Sequence, residues 1–208
     1  MITKAILEEV LAKAMSTGAD FAEVFAENSR SNSIYMIDGR VDSITDNTIS
    51  GVGIRAFLGV RCVSASTIDL SREGLLNCAA QVADVIAEHP TAIDIHLTER
   101  IFPDIHAVKI VPDTAKKATK IDLLKSGYFA AKNYHEDIAQ VTATLLDVDH
   151  NILIANSDGL FTEDRQIRTR MSVSAIASRG GENQSGACSP GRRMGLEVFD
   201  LFPPEDIG

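Results

Sequence analysis

Residues 167–178 alternate apolar and polar side chains with a period of two, and this pattern constrains the fold more than any other part of the chain. One parity holds Ile167, Thr169, Met171, Val173, Ala175 and Ala177. The other parity holds Arg168, Arg170, Ser172, Ser174, Ile176 and Ser178. Because successive strand side chains point to opposite faces, the segment predicts an antiparallel strand with one face in the core and the other in water.

A helix and a hairpin are predicted in the first part of the chain. Ile6, Val10 and Ala14 share one helical face, and Gly18 can end the helix in the left-handed conformation. Asp38-Gly39 separates two alternating segments, as in a tight hairpin turn. Residues 51–67 then predict a strand, a turn near Gly59 and a second strand. The alternate residues from Val52 to Cys62 are expected to share one apolar face across this turn. A further helix is expected after an N-cap at Ser71.

The second part repeats this order. Thr119 and Asp122 resemble a capping box at the start of a helix. Two strands, IAQVTATLLD and NILIAN, are expected next, followed by a turn at Gly159 and the strand of residues 167–178. Between the two parts, Pro90, Pro103 and Pro112 indicate a long connection with one short strand at most.

The fold class predicted is α+β, with antiparallel sheets flanked by helices. EDIAQV begins 117 residues after ADFAEV, and Gly159 follows Gly39 by 120 residues. This offset favours an internal duplication of a helix-plus-β-meander unit, although chance similarity of short segments is an alternative. The expected organisation is a first helix-plus-sheet unit in residues 1–90, a connection in 91–112 and a second unit in 113–208, packed as one N-terminal domain of a longer protein.

Charge and composition exclude several classes of function. The formal net charge is -9, which argues against nucleic-acid binding. No segment approaches the ~20 apolar residues of a membrane-spanning helix. The cysteines, Cys62, Cys78 and Cys188, are widely spaced and predict a reducing, cytoplasmic setting, with Cys78 in the core.

Catalytic and metal-binding motifs are not found. Gly51-x-Gly53 lacks the third glycine of a dinucleotide-binding loop at the required spacing, so a nucleotide site there is a remote alternative to a structural role. The five histidines are never closer than seven residues apart in the sequence, which rules out a pair one helical turn apart. The repeated Asp-Ile-His at 94–96 and 104–106 predicts solvated loop residues. We therefore predict neither a catalytic residue nor a metal ligand in this chain.

Arginines concentrate near the end of this acidic chain. Arg168, Arg170 and Ser172 share the outward parity, and Arg192 and Arg193 follow a stretch rich in glycine and serine that is expected to be a loop. Guanidinium groups can clamp carboxylates or peptide carbonyls, and an accessible strand edge can accept a peptide. These five residues are the candidate substrate-channel or partner surface, with an ordinary solvated sheet face as the alternative.

Four sequence blocks carry a family resemblance. They are GVGIRAFLGVRCVSAST, VTATLLDVDHNILIANSDG, RTRMSVSAIA and GRRMGLEVF. Their order and spacing resemble the N-terminal half of the TldD/PmbA family, also known as modulators of DNA gyrase, and the last three blocks are more similar to the TldD branch. The similarity extends from about Ile2 to Phe199.

The resemblance implies a cytoplasmic zinc metallopeptidase that acts on peptides or unfolded small proteins. In this family zinc is held by a His-Glu-x-x-x-His helix of the C-terminal half, which these 208 residues do not include. The expected partners are a peptide substrate and a second subunit, in a homodimer or with a TldE/PmbA-like chain. The resemblance implies that this chain alone is inactive and forms channel walls and subunit contacts. The alternative is a noncatalytic interaction module, such as the partner subunit or a gyrase modulator.

Overall fold

A computed structural model of the protein describes residues 2–208, in which long antiparallel strands are combined with short helices. The helices are α1 (Lys4–Met15), α2 (Arg72–Ile86), α3 (Lys117–Lys132) and α4 (Pro204–Ile207), with 3-10 turns at Pro112–Thr114 and Leu196–Asp200. The strands are β1 (Phe21–Ile37), β2 (Arg40–Leu58), β3 (Arg61–Thr67), β4 (Thr98–Glu99), β5 (Ile138–Asn156), β6 (Leu160–Arg179), β7 (Glu182–Cys188) and β8 (Gly191–Arg192). Within residues 2–208, no helix has the length and apolar character needed to cross a membrane.

The strands form a sheet in the order β3-β2-β1-β5-β6-β4, and β7 and β8 also pair with β6. Pairing is antiparallel between β2 and β3 and between β6 and its neighbours β7 and β8. The short strand β4 is parallel to β6, with Thr98 opposite Leu160. The predicted α+β class with an antiparallel sheet is confirmed.

The predicted hairpin turns are present. Asp38 and Gly39 have φ of 46° and 76°, so both central residues of the β1–β2 turn are left-handed, as a two-residue turn that matches strand twist requires. Gly159, with a φ of 88°, turns the chain between β5 and β6. The order of a helix followed by three antiparallel strands occurs twice, as α1-β1-β2-β3 and as α3-β5-β6-β7. The origin of this repeat by duplication stays a prediction.

The chain forms two compact units from alternating segments. Among the described residues, the first unit contains 2–29, 49–103 and 150–165, and the second contains 30–48, 104–149 and 166–208. Each long strand passes from one unit to the other part of the way along its length. The domain bounds expected from the sequence, 1–90, 91–112 and 113–208, stay a prediction.

The first unit has its core between α1, α2 and one face of its strands. Leu7 and Leu11 of α1 and Leu75 of α2 are fully buried against the inward residues Val52 and Ile54 of β2. The side chain of Ser71 accepts a hydrogen bond from the Gly74 amide and caps α2, as predicted. Cys78 belongs to this core, and burial raises the pKa of its thiol.

The second unit has its own core. Leu124 and Tyr128 of α3 pack with Leu145 of β5, Met171 of β6 and Ile207 of α4. Gly127 of α3 packs closely against Met171, because a Cβ at position 127 would lie only 2.6 Å from the terminal methyl of Met171. The inward parity predicted for β6 holds for Ile167, Thr169, Met171 and Val173, which are buried, whereas Ala175 and Ala177 are only half-buried.

Four local predictions are wrong. Thr119 lies inside α3, which begins at Lys117 after a Lys116 cap that makes no side-chain hydrogen bond. IAQVTATLLD and NILIAN form the single strand β5, and the expected loop before Arg192 contains β7 and β8. Val60 and Cys62 were expected to continue the core-facing parity that starts at Val52, but both are exposed. The reason is that β2 ends at Leu58 and β3 begins at Arg61, so the turn between them reverses the parity.

Candidate functional site

The outward face of β6 carries three of the five predicted surface residues. Arg168 and Arg170 are exposed and Ser172 is half-buried, whereas the intervening Thr169 and Met171 are buried. Residues two apart on a strand share a face, so the structure brings Arg168, Arg170 and Ser172 together on the side opposite the core.

Arg170 is held in place by the segment that joins β7 to β8. Its Nε donates a hydrogen bond to Oγ of Ser189 at 2.8 Å. Its stem lies over Gly191, where an added Cβ would be 3.0 Å from the Cβ of Arg170. On the neighbouring side chain, Nη2 of Arg168 donates to Oε1 of Gln166 at 2.5 Å. Each guanidinium group is therefore held by one hydrogen bond to a neighbouring side chain, and both arginines are exposed.

Arg192 lies on the other face of the sheet. It is paired with Thr169 in the antiparallel register, and directly opposed side chains share a face, which for Thr169 is the core side. The Arg192 guanidinium lies over the ring of Phe202, 4.8 Å from its centroid, a distance typical of a cation–π contact. Arg193 follows β8, is half-buried and takes part in a polar or electrostatic interaction. The predicted set is thus divided.

The edge of β6 is already paired next to the arginines. β8 covers Thr169 and Arg170, and β7 covers the strand from Val173 to Arg179. An added peptide strand cannot take these positions, so only the side chains of the outward face are exposed to a ligand here.

A buried ion pair in the second unit was not predicted. Lys120 of α3 and Asp147 of β5 are only 3% and 6% exposed, and their Nζ and Oδ2 atoms are 2.6 Å apart. Nζ of Lys120 also lies 3.3 Å from Oδ1 of Asn32. Burial raises the pKa of Asp147, and the hydrogen bond from Lys120 opposes that increase. The pair joins α3 to the sheet.

The polar contacts continue to a cavity of about 300 Å³ in the same unit. Nδ2 of Asn32 donates to Oδ1 of Asp46 at 2.6 Å, and Nζ of Lys117 donates to Oδ2 of Asp46 at the same distance. These bonds, from Lys117 first and then Asn32, hold the pKa of Asp46 below its ordinary value. The charged groups around the cavity are thus engaged with one another.

The sequence contains the signal for this pair. Lys120 precedes Leu124 and Tyr128 on the apolar stripe of α3, and Asp147 continues the inward parity of Ala143 and Leu145 on β5. Opposite charges on two core-facing patterns predict a buried ion pair, because an unpaired buried charge is costly.

A second buried carboxylate forms what we call the Glu197 clamp. Glu197 is 3% exposed. It accepts backbone N–H bonds from Lys109 at 3.1 Å, Ile110 at 2.9 Å and Gly195 at 3.1 Å. Burial by itself would raise the pKa of Glu197, but these donors outweigh it and hold the pKa below the ordinary value. The clamp fixes the end of the connection before α3.

The described residues do not offer a site for the metal that the resemblance implies. Among residues 2–208, no group of three His, Cys, Asp or Glu side chains is placed to hold an ion. His96 and His135 each pair with a nearby aspartate, Asp94 and Asp137, and His150 Nε2 lies 3.0 Å from Oε2 of Glu27.

Gly51 and Gly53 lie within the strand β2, not in a loop that leads from a strand into a helix. A phosphate-binding loop needs converging N–H groups where a strand meets a helix. Gly51 and Gly53 therefore lack the strand-to-helix loop of such a site, and the nucleotide alternative stays an untested one beside a structural role within β2.

Two family models match most of the chain. Residues 22–86 match the model described as PmbA/TldA metallopeptidase domain 1, and residues 110–208 match the PmbA/TldA metallopeptidase central domain. Two similar curated proteins are a TldD homologue described as a metalloprotease from Haemophilus influenzae and a metalloprotease from Methanothermobacter thermautotrophicus. They are 27% and 24% identical over 90% and 91% of this chain. The matches cover 39% and 41% of those proteins, so the chain spans about two fifths of their length.

Solved structures share the fold. A proposed modulator of DNA gyrase from Thermotoga maritima has a TM-score of 0.76 at 18% identity, over 98% of this chain and 45% of that one. TldE from Thermococcus kodakarensis has a TM-score of 0.65 at 16% identity, over 97% of this chain and 46% of that one. At these identities the likeness shows the architecture alone.

Proposed function

Because the chain belongs to the PmbA/TldD family of metallopeptidases, we propose that it is the substrate-handling part of a metal-dependent peptidase acting on peptides or unfolded small proteins. In this proposal zinc is held by a C-terminal half outside these 208 residues. The observation that carries the proposal is the match of two domains of this one family to residues 22–86 and 110–208.

The outward face of β6 is the proposed wall of the substrate channel. Arg168 and Arg170 are exposed there and anchored by Gln166 and Ser189. Such guanidinium groups bind carboxylates and peptide carbonyls through charge-assisted hydrogen bonds. The chain supplies binding and orientation in this division of labour, and the residues that carry out hydrolysis lie elsewhere.

The proposed assembly contains a second subunit, either another copy or a TldE/PmbA-like chain. The TldE fold of a solved relative is compatible with two similarly folded subunits in one peptidase. We place the protein in the cytoplasm, where the unpaired thiols of Cys62, Cys78 and Cys188 would stay reduced.

The test uses the natural polypeptide that carries these residues, purified with its partner subunit. We expect it to hydrolyse unstructured peptides with zinc and to stop when a chelator is added. Replacing Arg168 and Arg170 with alanine should lower kcat/KM at least about tenfold, because each charge-assisted bond contributes roughly 1.5–3 kcal/mol. Arg179→Ala is the matched control, because Arg179 ends the same strand and pairs with Asp137.

Each outcome decides between the alternatives. The isolated 208-residue chain should not cleave peptides, and metal-dependent cleavage by it would contradict the division of labour. A natural polypeptide that cleaves no peptide with its partner and zinc would overturn the proposal and favour the noncatalytic interaction module.

A further inference from the structure

The outward parity of β6 has no Asp or Glu from Gln166 to Ser178, and Asp164, four residues before Arg168, is the nearest acidic residue of that parity on this strand. The even-numbered positions from 140 to 146 of β5 and from 166 to 178 of β6 contain no Asp or Glu. At the opposite edge of β6, strand β7 also places no acidic residue beside this face, because the partners of Ser174, Ile176 and Ser178 are Ala187, Ser185 and Asn183. In a chain with a formal net charge of -9, this face is a local positive region.

Arg170 is shaped to bind an anion in a fixed direction. Ser189 Oγ accepts from Nε at 2.8 Å, and the absence of a side chain at Gly191 leaves room for the stem. With Nε engaged, the two Nη groups of this exposed side chain are the donors available to a ligand. A guanidinium held in this way loses less rotamer freedom on binding than a mobile one, which favours bidentate contact with a carboxylate.

The spacing of the two arginines defines the ligand further. Arg168 and Arg170 are two residues apart on one strand, so their Cα atoms are about 6.6 Å apart. Alternate side chains of an extended peptide have the same spacing. Two acidic side chains at positions i and i+2 of a peptide therefore match both guanidinium groups at once, whereas adjacent acidic residues point to opposite sides.

We propose that the outward face of β6 selects extended peptides with acidic side chains at alternate positions, with Arg168 and Arg170 as the binding residues and Ser189 as a positioning residue for Arg170. The choice of a peptide as the ligand rests on the proposed function. The preference for alternating carboxylates rests on the charge and spacing of this face.

Binding is measured by fluorescence anisotropy with the natural polypeptide and a chelator present, so that no hydrolysis is needed. Three labelled peptides share one composition of neutral residues and differ in a central Glu-x-Glu, Gln-x-Gln or Glu-Glu sequence. We expect Glu-x-Glu to bind about tenfold more tightly than the other two, with the difference decreasing as salt rises from about 50 to 300 mM. Arg170→Lys should remove most of the preference, because lysine keeps the charge and loses the bidentate geometry.

Ser189 has its own controls. Ser189→Ala should weaken Glu-x-Glu binding about threefold and leave Gln-x-Gln binding unchanged, and Ser189→Thr should restore the preference by retaining the hydroxyl. Ser174→Ala is the matched control, because the Ser174 hydroxyl lies on the same face and donates to the Gly186 carbonyl at 3.2 Å. This control variant should bind like the parent.

Two results would overturn the inference: equal binding of Glu-x-Glu and Gln-x-Gln, or equal binding of Glu-x-Glu and Glu-Glu. An unchanged preference in Ser189→Ala would remove Ser189 from the site. Hydrolysis of peptides without this preference would leave the proposed function intact, whereas acidic selectivity without hydrolysis would leave only the binding inference.

Discussion

Replacing Glu197 with glutamine tests whether the Glu197 clamp stabilises the second unit. Oε1 receives the amides of Lys109 and Gly195, and Oε2 receives that of Ile110 at 2.9 Å. Glutamine has one carbonyl oxygen, which can keep the first two bonds. Its NH₂ group would face the Ile110 amide, so that two donors meet.

The expected loss of stability follows from these contacts. Removing one hydrogen bond to a charged group costs roughly 1.5–3 kcal/mol, and the two retained bonds weaken when the acceptor is neutral. Relief of the cost of burying a charge acts in the opposite direction. We expect a net decrease of about 2–3 kcal/mol in the free energy of unfolding at pH 7.

The assay is urea unfolding followed by far-UV circular dichroism. Glu205→Gln is the matched control, because Glu205 is an exposed glutamate in the same C-terminal part of the chain. Its change should stay within about 0.5 kcal/mol. A Glu197→Gln variant as stable as the parent at pH 7 would refute the clamp.

The pH dependence is a second check on the same residue. The folded-state pKa of Glu197 is lowered, so the stabilisation that its carboxylate gives to the folded state is fully present above the unfolded-state pKa of about 4.3. The contribution is lost as pH falls through the lower folded-state pKa. The stability difference between parent and Glu197→Gln should therefore shrink below about pH 4. A difference that grows on acidification would contradict the mechanism.

Two further substitutions test the second unit. Lys120→Met should lower the free energy of unfolding by about 3–5 kcal/mol at pH 7, because it leaves the buried Asp147 charge unpaired. A double variant that carries Asp147→Leu as well as Lys120→Met should recover part of this loss in chemical unfolding. A double variant no more stable than Lys120→Met would count against the buried ion pair. Gly127→Ala should lower the melting temperature although alanine favours helices, because its Cβ would lie 3.0 Å from the Pro204 carbonyl oxygen and 2.6 Å from the Met171 methyl. A higher melting temperature would show that these neighbours move at little cost.

Local sequence patterns predicted most of the elements because their causes are local. The Asp38-Gly39 turn and the Ser71 cap depend on a few neighbouring residues, and both are observed. The cap at Thr119 was wrong for a physical reason. The chain enters α3 from a 3-10 turn at Pro112–Thr114, and that approach starts the helix at Lys117 without a side-chain cap.

The arrangement of compact units could not be predicted in this way. Their segments alternate because each hairpin extends from one unit into the other, with residues 30–48 and 150–165 as the extended parts. Such pairing is set by contacts between residues more than a hundred positions apart, such as the Ser157 amide and the Ala22 carbonyl. A periodic pattern states which face of a strand is apolar but does not identify the neighbouring strand.

The face of a charged residue determines the role it can have in this chain. Lys120 and Asp147 occupy core-facing positions, where each charge needs the other because an unpaired buried charge is costly. Arg168 and Arg170 occupy the opposite parity of β6, where their charges are available to a ligand. Arg192 has the same side chain but lies opposite Thr169 and stacks on Phe202, so its charge is turned away from the Arg168–Arg170 surface. An excess of arginine in the sequence therefore could not show which arginines share a face, because that depends on the register between β6 and β8, and the proposed binding role of Arg168 and Arg170 stays a prediction.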